Sequence, residues 1–94
     1  MKKSQKYRIT ISVYDRELIL KYCLAITGDL AASIEQRRSR RGFVSIELTL
    51  NESSEIAGWI AMEANHTKNR QVEEGLSALY ESLESFEYQI KNDL

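Results

Sequence analysis

The sequence predicts an α+β domain in which a small two-stranded sheet packs against three helices, in the order β-α-β-α-α. Two segments alternate apolar and polar residues with the period of two that is typical of half-buried strands. Three others repeat apolar residues every three to four positions, as helices with one buried face do. Ninety-four residues without proline suit a single domain, residues 1–94, with long helices.

The first strand is predicted at residues 7–14, followed directly by a helix. YRITISVY alternates apolar and polar side chains, and Asp15 stands where a helix N-cap belongs. The apolar spacing continues far enough to favour one long helix over residues 15–38. The alternative is a break at Gly28, because glycine costs about 1 kcal/mol relative to alanine inside a helix and Asp29 would cap a second one.

The second strand is predicted at residues 43–50, where apolar and polar residues again alternate. Asn51 is expected to cap a helix that ends at about Ala64. A last helix is expected from about Arg70, and its apolar residues are spaced four, three, four, three, four: Val72, Leu76, Leu79, Leu83, Phe86 and Ile90. We expect this seam to pack on the domain's own core, since the flanking positions lack the Glu/Lys pairs of a coiled coil.

An offset of 37 residues aligns the two strand-to-helix junctions with each other. Duplication of one unit would explain this likeness, and so would two junctions that obey the same rules. The aligned residues include Ile9 with Ile46, Ile11 with Leu48 and Asp15 with Glu52.

Two strands can pair in either direction. Parallel pairing requires the intervening helix to cross over, whereas a helical hairpin broken at Gly28 makes antiparallel pairing easy. The sequence leaves both open. Either arrangement has sheet edges with unpaired backbone groups, so we expect a homodimer that extends the sheet.

No motif in the sequence specifies a reaction, and we do not expect an enzyme. His66 is the only histidine and is expected in a polar loop, and Cys23 is the only cysteine and is expected to be a buried thiol. No metal-ligand spacing, glycine-rich phosphate loop or triad spacing occurs, so no catalytic residue, cofactor or metal is predicted. A secretory leader and an apolar segment of membrane-spanning length are also missing, which predicts a cytoplasmic location.

Charge is distributed unevenly along the chain. Residues 1–42 hold ten Lys/Arg against four Asp/Glu, and residues 43–94 hold three against ten. The basic half ends in IEQRRSRRGF, whose four arginines we predict to be the partner-binding residues: Arg37, Arg38, Arg40 and Arg41. They would fan outward and offer bidentate donors to phosphate or carboxylate. The alternative is that they complement a helix dipole and keep the connection soluble. The strand entrance would extend the patch with Lys2, Lys3, Lys6 and Arg8.

The last helix carries the opposite charge. Its carboxylates fall mostly on the side away from the apolar seam, where solvation explains them. A carboxylate stripe can also imitate a phosphate backbone, which makes it a second candidate partner surface. The residues of this secondary acidic surface are Glu74, Glu81 and Glu84, with Glu73 and Glu87 nearby.

Residues 6–38 resemble the ribbon-helix-helix family of DNA-binding proteins. The resemblance lies in the basic alternating strand KYRITISV, a helix, a turn with Gly28 and a second helix, DLAASIEQRR. It implies a dimer in which two strands enter the major groove. The residues that would then face the bases are Lys6, Arg8, Thr10 and Ser12. The second strand and the further helices depart from the family's pattern, and the overall charge is not basic.

As a whole, the chain is similar in size and style to small accessory proteins of phages and mobile elements, including inhibitors of bacterial defence systems. That similarity implies a non-enzymatic interaction protein that binds a protein or nucleoprotein complex through charged surfaces. The alternative is a dimeric DNA-binding regulator, like the ribbon-helix-helix proteins, that uses the basic strand at residues 6–13.

Overall fold

The structure is a computed structural model that describes residues 5–23, 26 and 28–92. The predicted α+β class is confirmed, and the described residues form four helices instead of the three expected. The elements follow in the order β1 (Tyr7–Ser12), α1 (Val13–Tyr22), α2 (Gly28–Gln36), β2 (Phe43–Leu48), α3 (Leu50–His66) and α4 (Arg70–Asn92).

The segment predicted as one long helix is divided into α1 and α2. α1 ends at Tyr22 with Cys23 as its C-cap, and α2 begins at Gly28. The prediction of a continuous helix is therefore wrong, and the alternative of a break is correct. Glycine is a poor residue for a helix interior but is tolerated at its start, where Asp29 in the first turn complements the helix dipole.

Both strand-to-helix junctions carry the same capping box. At the first, the backbone N–H of Asp15 donates to Ser12 Oγ at 3.0 Å and the N–H of Ser12 donates to Asp15 Oδ2 at 3.1 Å. Thr49 and Glu52 repeat these two bonds at 3.0 and 2.8 Å. Asp15 is thus the third residue of a box and not the N-cap, and Asn51 lies inside α3. Both predicted caps are wrong because Ser12, the last residue of β1, and Thr49, the first residue after β2, do the capping.

β1 and β2 pair antiparallel, with Ile9 opposite Ile46. These two residues are separated by the same 37 positions that align Ser12 with Thr49 and the start of α1 with the start of α3. A local two-fold axis therefore passes through the ribbon at this pair. The described elements form two successive β-α-α units, each with a capping box at its strand-to-helix junction.

The core lies between the inner face of this ribbon and the helices. Alternate residues of both strands point inward, and α4 contributes the seam expected to pack on the domain's own core. That expectation is confirmed by four buried residues of α4: Leu76, Leu79, Leu83 and Phe86. The outer face of the ribbon is left without a helix over it, since its side chains alternate to the exposed side.

Besides its buried seam, α4 makes two further contacts with other helices. The fully buried Ser53 of α3 donates its hydroxyl to Glu87 Oε1 at 3.0 Å, and Glu87 also lies 4.0 Å from Lys91 Nζ. Glu87 is therefore half-buried, and its predicted place on a solvated back face is wrong. The ring of Tyr14 rests on Gly75, where a Cβ atom would come within 2.7 Å of Tyr14 Cε2.

Candidate functional site

An open depression on the outer face of the ribbon collects most of the predicted basic patch. Outward side chains of β1 and β2 form its floor, and the α2–β2 connection forms one side. The predicted arginine cluster and Arg8 thus meet at one surface, although Arg8 lies far from the others in sequence. We call this set of eight residues the arginine face: Arg8, Thr10, Arg37, Arg38, Arg40, Arg41, Phe43 and Ser45.

A tight turn fixes the backbone beneath the arginines. The N–H of Arg40 donates to the carbonyl of Phe43 at 2.7 Å, and the N–H of Phe43 donates back at 3.0 Å. Between them Arg41 and Gly42 have φ of 56° and 84°, the pattern of a type I′ turn. The carbonyl of Gly42 accepts from the N–H of Val13 at 3.0 Å, which anchors the turn to the start of α1. The arginines therefore project from an ordered connection.

The arginines differ in whether they already have a partner. Arg37 Nη2 lies 2.9 Å from Glu47 Oε1, and its carbonyl accepts from Arg16 Nη1 at 2.6 Å. Glu47 is an outward residue of β2 and stands opposite Arg8. The side chains of the other three form no hydrogen bond or ion pair with any residue that the structure describes: Arg38, Arg40 and Arg41. Their guanidinium donors are open to an external phosphate or carboxylate.

The floor of the arginine face combines small polar groups with one aromatic ring. Thr10 Oγ1 and Ser45 Oγ are hydrogen-bonded across the strands at 3.1 Å. Phe43 is 55% exposed. Phe43 lies among the arginines but is not one of the site residues predicted from the sequence. The signal was present, because Phe43 shares the outward phase of β2 with Ser45 and Glu47.

The opposite edge of the ribbon has a different charge. On the far side of β1, a second depression runs between Arg8 and Thr10 of the strand and the polar residues Glu81, Ser82 and Gln89 of α4. The β2 edge of the ribbon thus has four arginines beside it, whereas at the β1 edge Arg8 is accompanied by a carboxylate of α4, Glu81. The electrostatic character of the ribbon is one-sided.

Of the four residues that the ribbon-helix-helix resemblance implies would face the bases, two lie on the arginine face. Arg8 and Thr10 belong to the arginine face. Ser12 caps α1, and Lys6 Nζ lies 3.7 Å from Glu52 Oε1 of α3. Two further residues of the predicted patch lie outside the described part of the chain: Lys2 and Lys3.

The secondary acidic surface does not act as one unit. Glu74 lies 3.6 Å from Arg70 Nε. Glu84 accepts a hydrogen bond from the Tyr80 hydroxyl, which with the negative charge of Glu84 raises the pKa of Tyr80. Glu81 faces the β1 edge of the ribbon. These carboxylates are exposed, and the two that have a local partner have different ones, Arg70 for Glu74 and Tyr80 for Glu84.

Cys23 and His66, the two residues whose side chains could act in catalysis, both have contacts within the fold. Cys23 is buried, and its thiol lies 3.9 Å from the Ile56 carbonyl. Burial, followed by the negative charge of Glu63, raises the pKa of Cys23 to about 12. His66 is the last residue of α3 and not a loop residue, with Nδ1 2.8 Å from the Met62 carbonyl. Within the described residues no cluster of three or more His, Cys, Asp or Glu side chains could hold a metal ion.

Comparison with known proteins does not assign the chain to a family. No protein-family model matches it, and neither the curated proteins nor the solved structures give a significant match. Among the described residues, no helix combines the length and apolar character needed to cross a bilayer. Function is therefore inferred from the geometry and charge of the arginine face.

Proposed function

We propose that the chain is a non-enzymatic nucleic-acid-binding protein that holds phosphate groups on its arginine face. The observation that carries this proposal is the convergence of five arginines on one open depression, four of them with side chains that have no partner among the described residues. Guanidinium groups bind phosphate bidentately, and phosphate contacts supply most of the affinity for nucleic acid. The turn fixes the backbone at Arg40 and Arg41 before a ligand arrives, so binding has to order their side chains but not this part of the chain.

The resemblance to ribbon-helix-helix proteins supports the same function. An antiparallel ribbon followed on each strand by two helices is the arrangement that this family builds from two chains, and here one chain supplies both strands. The regulator hypothesis therefore no longer requires a dimer to complete the ribbon. Self-association, expected from the open sheet edges, stays a separate prediction that light scattering of the purified chain would test.

The test measures affinity for labelled oligonucleotides of mixed sequence, single-stranded and duplex, between about 50 and 200 mM salt. Replacing Arg38 and Arg40 with Gln should weaken binding and reduce the slope of log affinity against log salt by roughly 0.7–0.9 for each phosphate that the variant no longer neutralises. The matched control replaces Lys68 and Arg70 with Gln, because it removes the same charge from exposed positions away from the arginine face. Absence of binding at about 50 mM salt, or equal losses in both variants, would contradict the proposal.

A second candidate is a cytoplasmic interaction protein of the inhibitor type, such as a phage or mobile-element accessory protein that occupies an acidic surface of a defence complex. The Arg37–Glu47 pair at 2.9 Å favours it, because it shows that this face accommodates carboxylates. Affinity capture from the native host would compare the wild type with a variant that has alanine at Arg37, Arg38, Arg40 and Arg41. Loss of a captured protein in the variant, without any nucleic-acid binding by the wild type, would support this candidate.

A further inference from the structure

We infer that the arginine face takes a single strand of nucleic acid in preference to a duplex, with one base stacked on Phe43. This inference rests on the proposed function and names its substrate class. Three features of the described residues carry it: an exposed aromatic ring on a fixed backbone, arginines along one edge of the ribbon, and a carboxylate along the other.

Phe43 has the properties of a stacking platform. Its backbone is fixed by the two hydrogen bonds to Arg40 and by its place opposite Ser12 in the ribbon, while 55% of the residue is exposed. An exposed phenylalanine is common when it stands alone, but this one lines the same depression as five arginines. A base stacked on an aromatic side chain contributes roughly 1–3 kcal/mol, and stacking tolerates any base because each has a π face.

The arginines beside Phe43 suit one phosphate backbone. Residues 37–41 run along the β2 edge of the ribbon, so their side chains provide a row of donors next to the aromatic ring. A basic track next to an aromatic platform is the combination by which proteins hold single strands without reading their sequence. A strand that follows this track can turn its bases over Phe43 and toward the hydroxyls of Thr10 and Ser45.

A duplex fits the same surface less well. A ribbon that enters the major groove, which is about 12 Å wide, meets one phosphate backbone at each edge. Here the β2 edge would meet its backbone with four arginines, but at the β1 edge the other backbone would meet Arg8 with the carboxylate of Glu81 beside it. The bases of an intact duplex also present only their edges in the groove, so the face of the Phe43 ring would find no base to stack on.

The experiment compares a fluorescent single strand of about 12 nucleotides with a hairpin duplex of the same sequence, by anisotropy at fixed salt. We expect the single strand to bind about tenfold more tightly, and Phe43→Leu to remove about tenfold of that affinity while duplex affinity stays unchanged. Phe43→Trp should keep single-strand affinity, and the new indole emission should be quenched by the bound base. Trp59 of α3 provides the control, because its emission in the wild type should not respond to the strand.

Each outcome is decisive because the substituted side chain is exposed and α3 reports on folding separately. Equal or tighter duplex binding, or a Phe43→Leu variant that binds the single strand as the wild type does, would overturn the inference. In that case the proposed function would still stand if the variant with Gln at both Arg38 and Arg40 lost affinity for nucleic acid. Failure of both oligonucleotides to bind would overturn the proposed function as well.

Discussion

Arg41 occupies a backbone conformation that disfavours its side chain. Its φ of 56° lies in the left-handed region, which costs an L-residue with a Cβ roughly 1–2 kcal/mol. The first central position of a type I′ turn prefers Asn, Asp or Gly, and Gly42 already satisfies the second. Residues held in such conformations cluster at functional sites, and this one lies within the arginine face.

Replacing Arg41 with Asn should therefore separate stability from binding. We expect the free energy of unfolding, measured in urea, to rise by about 0.5–1 kcal/mol because asparagine tolerates the left-handed region. Affinity for the single strand should fall, because one donor is removed. Arg41→Lys is the control, since it keeps both the charge and the strained backbone. A destabilised Asn variant would show that the arginine side chain stabilises the turn.

At the scale of elements, the helices are positioned by short polar signals at their ends. Ser12 and Thr49 each belong to a strand or follow it directly, and each closes a capping box on the next helix. An N-cap hydroxyl satisfies a backbone N–H that has no partner within the helix. The same side chain therefore ends the ribbon and starts the helix that covers its inner face.

We expect Ser12→Ala and Thr49→Ala to lower the free energy of unfolding by about 1 kcal/mol each. Because the two boxes have equivalent bonds, their losses should be similar, and the double variant should show their sum. Denaturant titration of the three variants measures this. Ser12→Asp serves as control, because aspartate is an equally good N-cap. A loss confined to one site would show that the repeat is not energetically equivalent.

The contact between α1 and α4 makes a second prediction at this scale. Gly75→Ala should gain about 1 kcal/mol of helix propensity but displace the Tyr14 ring that lies on Gly75. The net change in the wild type should thus be smaller than the change in a Tyr14→Ala background, where the full gain should appear. A double-mutant cycle measures the coupling, for which we expect at least about 0.5 kcal/mol. Equal effects in both backgrounds would contradict this contact.

At the scale of the whole molecule, the elements with regular apolar spacing could be predicted from the sequence. The contacts between residues that are distant in sequence could not. Both strands and the α4 seam follow from regular apolar spacing, because that spacing records burial. The break before Gly28 is hidden, since apolar residues keep helical spacing across it. The arginine cluster is visible in the sequence, but its meeting with Arg8 depends on the strand pairing, which the sequence leaves open.

The closure of the ribbon within one chain has a consequence for dilute conditions. A ribbon assembled from two identical chains exists only above its dissociation constant, so its folding is second order in protein and its stability falls on dilution. β1 and β2 are joined covalently, so their pairing is a first-order process that a few copies per cell would complete as readily as many. Covalent linkage also allows the two strands to differ in sequence, which two identical chains cannot do. Here β1 has Arg8 at the position where β2 has Glu47 opposite it.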